Sequence, residues 1–557
     1  MGEGEPPAAA IRRRAAGVLA ATLLLGGLAA QTLWSARIHA ATFDEPTRLG
    51  VGAFMMSGAP RVPYPWRGNP PLACWLGSLF VPWLRVPGGF WNTYGADDYV
   101  NGLNLLYASG LDPQDVLWWS RLPMLLVALG TAWLVQGWAS SLGGRPAGLA
   151  ALALYVLSPS TVAFASMLNS DLLLASTTLL AMRLVVRHLE SPSRGRAAGA
   201  GAALGLVLLA KGTGIIVILL AAGLVCAGRG GRPWRRFAAE GLVAFGVAVL
   251  IWWAGHGFEV GPATLSAERP HVSIDRRLAG NPALQALAYR IAEGVPLPCP
   301  SYWKMLHYIA DKNLQGPPTY LLGRFSGSGF PSYYAVALAV KTPIPLLILA
   351  VAGFAGAWSL RRSHPASCRA LAGVLVAFFA LGTIARMQAG YRYILPVEPA
   401  GAVLAGAGLV VLGRRLRGRA FPVVVGCLTA WAVFADVRYA PHQAEYFNEW
   451  AGGPEGGARI LLDSNLDWGQ DLLDLKRLQA AHGLRPLYLH YFGTEQPERR
   501  GIACEPGLPR PGVKGYAAVS ATYLYGLYLE DPDSYAWLRK RTPWGRAGYS
   551  IWIYELE

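Results

Sequence analysis

The sequence predicts a polytopic α-helical membrane protein with a small α/β domain at its C-terminal end. Three observations predict it. About eleven long apolar stretches follow one another. The arginines cluster in the short loops between them, and the chain turns polar from about residue 438 onward. Of 557 residues, 53% are hydrophobic and only 15% are charged. A soluble domain carries about 25% charged residues, so the deficit places much of the chain in lipid. The net charge of +16 raises the question of a nucleic-acid partner. The basic residues answer it, because they form short clusters: Arg12-Arg13-Arg14, Arg194/Arg196, Arg232/Arg235/Arg236, Arg361-Arg362 and Arg414/Arg415/Arg417/Arg419. Basic loops on one side of a membrane are a topology signal, and nucleic acid is excluded as a partner.

A helix needs about 20 mostly apolar residues to cross the hydrocarbon core. The expected spans are roughly 15–34, 118–138, 147–166, 171–187, 198–211, 213–228, 239–256, 333–359, 370–386, 397–412 and 421–437. The two spans meeting at Lys211-Gly212-Thr213-Gly214 are short, which predicts a tilt or an interruption. With Arg12–Arg14 inside, strict alternation puts every arginine cluster on the cytoplasmic side and the C-terminal tail outside. Ala29-Ala30 and Ser35-Ala36 resemble signal-peptide cleavage sites, but an uncleaved anchor is the favoured reading of the first span.

This organisation divides the chain into a transmembrane unit, 1–437, and an outward soluble α/β unit, 438–557. The transmembrane unit carries two long outward loops, 35–117 and 257–332. The first loop is rich in Trp, Tyr, Pro and Asn. In the second, Tyr302–Ile309 has the pattern of an interfacial amphipathic helix. In the soluble unit, Pro486–Phe492 and Tyr516–Tyr523 gather β-formers, and Leu472–Ala481 reads as a helix. Six cysteines carry no CxxC spacing. Cys74, Cys299 and Cys504 fall on the oxidising side, where two of them can pair, although spacing does not select which.

The candidate chemistry sits where spans leave the bilayer on the outward side. Asp44 and Glu45 follow the first span directly. A solvated pair at a helix end is the ordinary account of such residues, but the aromatic, proline-rich loop after them suggests a shaped cleft. A carboxylate held near a hydroxyl can accept its proton in a transition state. Asp171 is the second acid, opening a span after a short turn; a helix N-cap accounts for it equally well. Lys211, Lys341, Arg386 and Arg392 are cations at outward helix ends, suited either to neutralising a lipid phosphate or to snorkelling toward headgroups. Tyr64, Trp66 and Asn69 of the first loop, with Tyr391 and Tyr393 flanking Arg392, supply faces on which a sugar can stack.

Asp463, Asn465, Asp467, Asp471 and Asp474 fall at relative positions 1, 3, 5, 9 and 12, the spacing of a calcium loop. Trp468 stands where that loop needs glycine, and Gln470 replaces its apolar residue. A helix start with acidic first residues is the favoured account of this stretch. No cofactor is required by this reading, and a divalent cation remains an option.

Phe43-Asp44-Glu45, Asn69-Pro70-Pro71-Leu72, Leu157-Ser158-Pro159 leading to Asn169-Ser170-Asp171, Lys341-Thr342-Pro343 and Tyr391-Arg392-Tyr393-Ile394-Leu395-Pro396 occur in that order. In order and topology the chain resembles the bacterial lipid-carrier-dependent glycosyltransferases of the GT-C superfamily. Protein O-mannosyltransferases and lipid A aminoarabinose transferases are among them. The resemblance implies a multi-pass enzyme of the bacterial cytoplasmic membrane with its active site on the outer face. It implies a polyprenyl-phosphate sugar as donor, a lipid, glycan or protein acceptor, and inversion at the anomeric carbon. Carried onto this sequence, it makes Asp44 the catalytic carboxylate, Asp171 a second acid of the same cleft, and Arg392 and Lys211 the phosphate-binding cations. The C-terminal region does not look like the β-trefoil insert of the mannosyltransferase branch. A transporter or flippase of lipid-linked sugars is the alternative. It calls for polar groups along a path through the bilayer, whereas here they gather at one face.

Overall fold

A computed structural model of the chain describes residues 7–556, apart from 57–69, 81–97, 264–273, 276–277, 417, 419 and 508–512. Every expected span contains helix. Seven helices are long and apolar enough to cross a membrane: Arg14–Ile38 within Pro7–Ile38, Pro113–Gly143, Ser170–Glu190, Trp234–Gly255, Pro365–Ile384, Val397–Leu416 and Ala420–Val437. Two further spans are bent pairs, Arg145–Val156 with Pro159–Ala165 at 67° and Tyr333–Lys341 with Ile344–Ala357 at 113°. Both bends interrupt stretches expected to be continuous, 147–166 and 333–359, and fall just before Pro159 and Pro343, because proline disfavours helical backbone in the residue ahead of it. The chain is a multi-pass membrane protein, and its described residues give seven to nine spans rather than about eleven. The remaining two helices, Arg194–Ala210 with 17 residues and Ile215–Ala227 with 13, fall short in length. Between them Lys211 is extended and Gly212–Gly214 forms a 3₁₀ turn, the interruption expected there.

Small residues set the helix packing, as in other lipid-embedded bundles. Helices Ile344–Ala357 and Val397–Leu416 approach so closely that a Cβ on Gly353 would stand 2.3 Å from the Ala405 carbonyl oxygen. One on Gly408 would stand 1.8 Å from that of Gly353.

The described parts of the segments between spans hold further helices. After the first span come helices Glu45–Met56, Leu72–Gly77 and Asp98–Tyr107; the 257–332 region holds Pro282–Gly294 and Pro300–Gln315. The last of these contains the expected amphipathic stretch, with Tyr302 and Met305 buried. None of the six cysteines is in a disulfide, so no such bond joins Cys74, Cys299 or Cys504. Cys74 and Cys299 instead pack as small hydrophobes in one buried cluster with Trp252 and Met305.

The C-terminal region forms a five-stranded mixed sheet, in the order Glu505–Pro506, Leu487–His490, Gly515–Ser520, Ile551–Leu556, Gly545–Ala547. The first three strands are parallel and the last two antiparallel to their neighbours. Side chains alternate between faces. Leu487, Leu489, Ala518, Ile551 and Ile553 pack with Leu472 and Leu475 of helix Leu472–His482. Ala517, Val519, Trp552 and Tyr554 join the core of the helical bundle. The sheet is thus buried on both faces and lies against the end of the first span. There the Ala40 amide donates to the Gln470 carbonyl at 2.9 Å and Phe43 to Trp468 at 2.8 Å.

Candidate active site

The strand-like contacts of residues 40–43 deliver Asp44 and Glu45 to two different environments. Glu45 opens helix Glu45–Met56 and is fully buried. The buried Arg121 grips it from helix Pro113–Gly143, Nε to Oε1 at 2.9 Å and Nη2 to Oε2 at 2.6 Å. The Leu168 and Thr42 amides donate to the same carboxylate, each at 2.8 Å. Burial opposes the charge, but Arg121 and these donors outweigh it and lower the Glu45 carboxyl. Arg121 also donates to the carbonyls of Ala36, His39 and Ala40. Glu45 therefore fastens the exit of the first span to its neighbours and has no free face for a substrate.

Asp44 points the other way, with 31% of its side chain exposed. Its Oδ2 accepts from Arg48 Nη2 at 3.2 Å, one helical turn on, and from Arg392 Nη1 at 2.9 Å. Burial works to raise this carboxyl, yet the charges of Arg48 and Arg392 hold it at about 2. Asp44 is ionised in the resting site.

Arg392 lies in the 3₁₀ turn Tyr391–Ile394. The turn is braced from the side: Asn465 Oδ1 accepts from the Tyr391 amide at 2.9 Å, and Ser464 Oγ donates to the Ala389 carbonyl. Gly390 has φ +130°, and a Cβ there would meet Ser464 Oγ at 2.2 Å, so only glycine fits. The guanidinium stands 4.5 Å from the Trp468 ring centroid and 5.4 Å from that of Tyr393. Burial disfavours its charge, but Tyr393, Asp44, Asp171 and Asp463 hold its pKa above the ordinary arginine value.

Asp171 and Lys211 form the second pair. Asn169 caps helix Ser170–Glu190, its Oδ1 accepting from the Leu172 amide at 2.8 Å. Asp171 is thus not the N-cap, and Lys211 Nζ donates to its Oδ1. The extended backbone at Lys211 turns its side chain inward, and Nζ stands 4.4 Å from the Tyr393 centroid. Tyr393 therefore links the two halves of the site, with Arg392 and Asp44 on one side and Lys211 and Asp171 on the other.

The other predicted cations are elsewhere engaged. Lys341 is buried and donates to the backbone carbonyls of Ala444 at 2.9 Å and Asn465 at 2.5 Å. Arg386 is exposed, with Nη1 on the Leu314 carbonyl at 3.3 Å. Tyr391 is buried at 2% exposure and lines a small cavity with Phe164, Met167, Lys341 and Trp468. Tyr64, Trp66 and Asn69 lie outside the described residues.

The calcium-loop spacing is not realised. Asp463 Oδ2 accepts from Tyr528 and its Oδ1 from the Ser464 amide, each at 2.5 Å. Asn465 Nδ2 donates to Tyr333 and Asp467 accepts from the Thr522 and Gly469 amides. Asp471 Oδ2 accepts from the Tyr549 and Ser550 amides, while Asp474 pairs with Arg477. These side chains diverge to separate partners, because the backbone turns sharply at Asp463 (φ +58°) and Gly469 (φ +86°) instead of winding around one point. The stretch is a bracing turn that leads into a helix.

Arg48, Trp468 and Arg121 escaped the sequence reading. Arg48 carries the signal of an i,i+4 partner for Asp44, and Arg121 that of a cation inside an apolar stretch.

Residues 114–254 match the family model described as dolichyl-phosphate-mannose-protein mannosyltransferase. Over that segment the chain is similar to a lipid-carrier-dependent glycosyltransferase family. No curated protein matches the chain in sequence. Among solved structures, ArnT from Cupriavidus metallidurans bound to undecaprenyl phosphate is 15% identical, with 96% of this chain and 97% of that one covered and a TM-score of 0.45. The archaeal oligosaccharyltransferase AglB from Archaeoglobus fulgidus, in complex with an inhibitory peptide and a dolichol-phosphate, is 12% identical. That match covers 90% of this chain and 69% of that one at a TM-score of 0.47. The arabinosyltransferase EmbB from Mycobacterium smegmatis is 15% identical over 74% of this chain and 31% of that one, at a TM-score of 0.34. Likenesses this distant assign no role to any residue.

Proposed function

We propose that this protein is a membrane glycosyltransferase. It moves a sugar from a polyprenyl-phosphate donor to an acceptor hydroxyl, with inversion, on the outer face of the cytoplasmic membrane. The observation that carries the reading is the Asp44–Arg392 contact: an ionised, partly exposed carboxylate held by an arginine set against an aromatic wall. A planar guanidinium suits phosphate oxygens as well as it suits a carboxylate. The donor phosphate competes with Asp44 for Arg392. Withdrawal of one arginine from Asp44 raises its basicity at the moment the donor arrives.

In the transfer step Asp44 accepts the proton of the acceptor hydroxyl while its oxygen attacks the anomeric carbon. The bond from that carbon to the phosphate oxygen breaks, and the polyprenyl phosphate leaves with the bonding electrons. Arg392 and Lys211 neutralise its charge. Asp171 holds Lys211 over Tyr393, and Glu45 positions Asp44 without touching substrate. Lys341 supports the turn at Asn465 and has no place on the phosphate. The outward 438–557 region buttresses the cleft through Trp468 and the Asp463–Asn465 turn. The sugar and the acceptor are left open, with lipid, glycan and protein all compatible.

The test is incubation of purified protein with a panel of polyprenyl-phosphate sugars and candidate acceptors, followed by mass spectrometry. Consumption of one donor, with release of the free polyprenyl phosphate and a glycosylated product, is expected. Movement of intact donor across a vesicle membrane without turnover would replace this reading with a transporter.

A further inference from the structure

Four metal-ligating side chains meet beside the exit of the first span, away from the Asp44 carboxylate. His39 closes that exit. His442 and Glu445 follow helix Ala420–Val437, and Asp471 precedes helix Leu472–His482. His39 Nε2 and His442 Nδ1 are 3.2 Å apart. Asp471 Oδ1 stands 3.8 Å from the first and 3.5 Å from the second. With one carboxylate oxygen of Glu445, the four ligand atoms lie within 4.8 Å of one another. A tetrahedral ion with bonds of about 2.0–2.1 Å holds its ligands about 3.3–3.4 Å apart, so small side-chain adjustments close the set on one centre.

Three of the four ligands, His39, Asp471 and Glu445, are already oriented by a hydrogen bond through their other polar atom. Ser35 Oγ meets His39 Nδ1 at 3.1 Å. The Tyr549 and Ser550 amides donate to Asp471 Oδ2 at 3.1 and 3.0 Å. Gln470 Nε2 donates to Glu445 Oε1, and Asp474 Oδ2 lies 3.8 Å from His442 Nε2. Such outer partners are what metal ligands need to hold their geometry. The remaining oxygens, Asp471 Oδ1 and Glu445 Oε2, are buried and accept no hydrogen bond. Both residues are 0% exposed. Two carboxylates this deep and this close disfavour each other's charge, and a divalent cation relieves both.

We propose that His39, His442, Glu445 and Asp471 bind a divalent transition-metal ion of the zinc type. Two imidazoles and two carboxylates suit zinc, whereas calcium and magnesium seek six or more oxygens. Four protein ligands leave no open position, which makes the ion structural. It ties three distant stretches together five residues before Asp44, and so fixes where that carboxylate stands. A solvent-open cavity lined by His442, Asp474, Arg477, Arg546, Gly548 and Tyr549 gives access.

The experiment uses the full chain, purified in detergent without a polyhistidine tag, stripped with a chelator and titrated with zinc chloride alone. About one zinc per chain is expected to survive desalting, and Glu445→Gln and His442→Gln should each lose most of it. X-ray absorption on the zinc-loaded parent should give two imidazole nitrogens in a four-coordinate shell. It decides the matter even if both variants fail to fold. Zinc held well below one equivalent, zinc unaffected by both substitutions, or a shell without histidine would overturn the proposal. The cluster would then be held by protons and hydrogen bonds alone.

Discussion

Arg392 Nη1 donates to Asp44 Oδ2 at 2.9 Å across 348 residues of sequence. The contact joins the exit of the first span to the turn before helix Val397–Leu416, and it sets a carboxylate and a phosphate-type cation on one another in the resting site. In the proposed reaction, the Trp468 ring behind the guanidinium limits where it can go when a donor phosphate takes the place of Asp44.

Arg392→Lys keeps the charge but loses the planar fork and the stacking on Trp468. Donor affinity and turnover should both fall, and Arg392→Ala should be worse. An arginine that merely anchors the protein at the headgroups predicts parity, because lysine snorkels equally well. Both constants measured in one membrane mimetic separate the two roles.

The pH dependence follows from the same competition. With both arginines on it, Asp44 titrates at about 2, below the ordinary carboxylate range, so the free site keeps its base far into acid. Donor binding draws Arg392 away and raises the carboxyl pKa. The acid limb of kcat should therefore lie at higher pH than that of kcat/KM, and Arg392→Gln should move the kcat/KM limb upward. Coincident limbs in the parent protein would remove the exchange of Arg392 between carboxylate and phosphate.

Asp44 stood out as a candidate because a carboxylate placed directly after a long apolar stretch is unusual, and Arg392 because a cation at a helix end suits a phosphate; that the two meet was not written in either pattern. The break at Lys211 was legible for an equally local reason, whereas the bends before Pro159 and Pro343 were passed over, although each proline marks one. What failed was non-local. Glu45 looks catalytic beside Asp44 until Arg121, 76 residues away, takes both its oxygens. Asp171 has the pattern of a cap, but Asn169 fills that place and frees Asp171 for Lys211. The acidic run from Asp463 to Asp474 has calcium-loop spacing, yet its backbone sends each side chain to a partner on a different element. The order of the C-terminal sheet depends on parallel pairings between strands far apart in sequence, which no local pattern encodes.

Arg121→Met should destabilise the protein by about 3–5 kcal/mol, the cost of leaving one member of a buried ion pair unpaired. The double variant with Glu45→Gln should recover part of the loss, since it removes the stranded charge. Thermal unfolding in detergent checks both, and equal losses in the single and double variants would mean that the pair is not coupled.

Reporter fusions test the sidedness. A fusion after Arg236 should report the cytoplasmic side and one after Leu556 the outer side, as the arginine clusters require. Reporting from the same side would put Asp44 on the wrong face for the proposed donor.

The most direct test of the account is Asp44→Asn, with folding verified and donor binding measured beside turnover. Loss of a positioned general base costs about 10²–10⁴-fold in rate. Turnover should fall by that much while the donor still binds, because Arg392 is released from the carboxylate and remains free for the phosphate. Turnover near that of the parent protein would contradict the account, and Asp44 would then be only the partner that holds Arg392 in place.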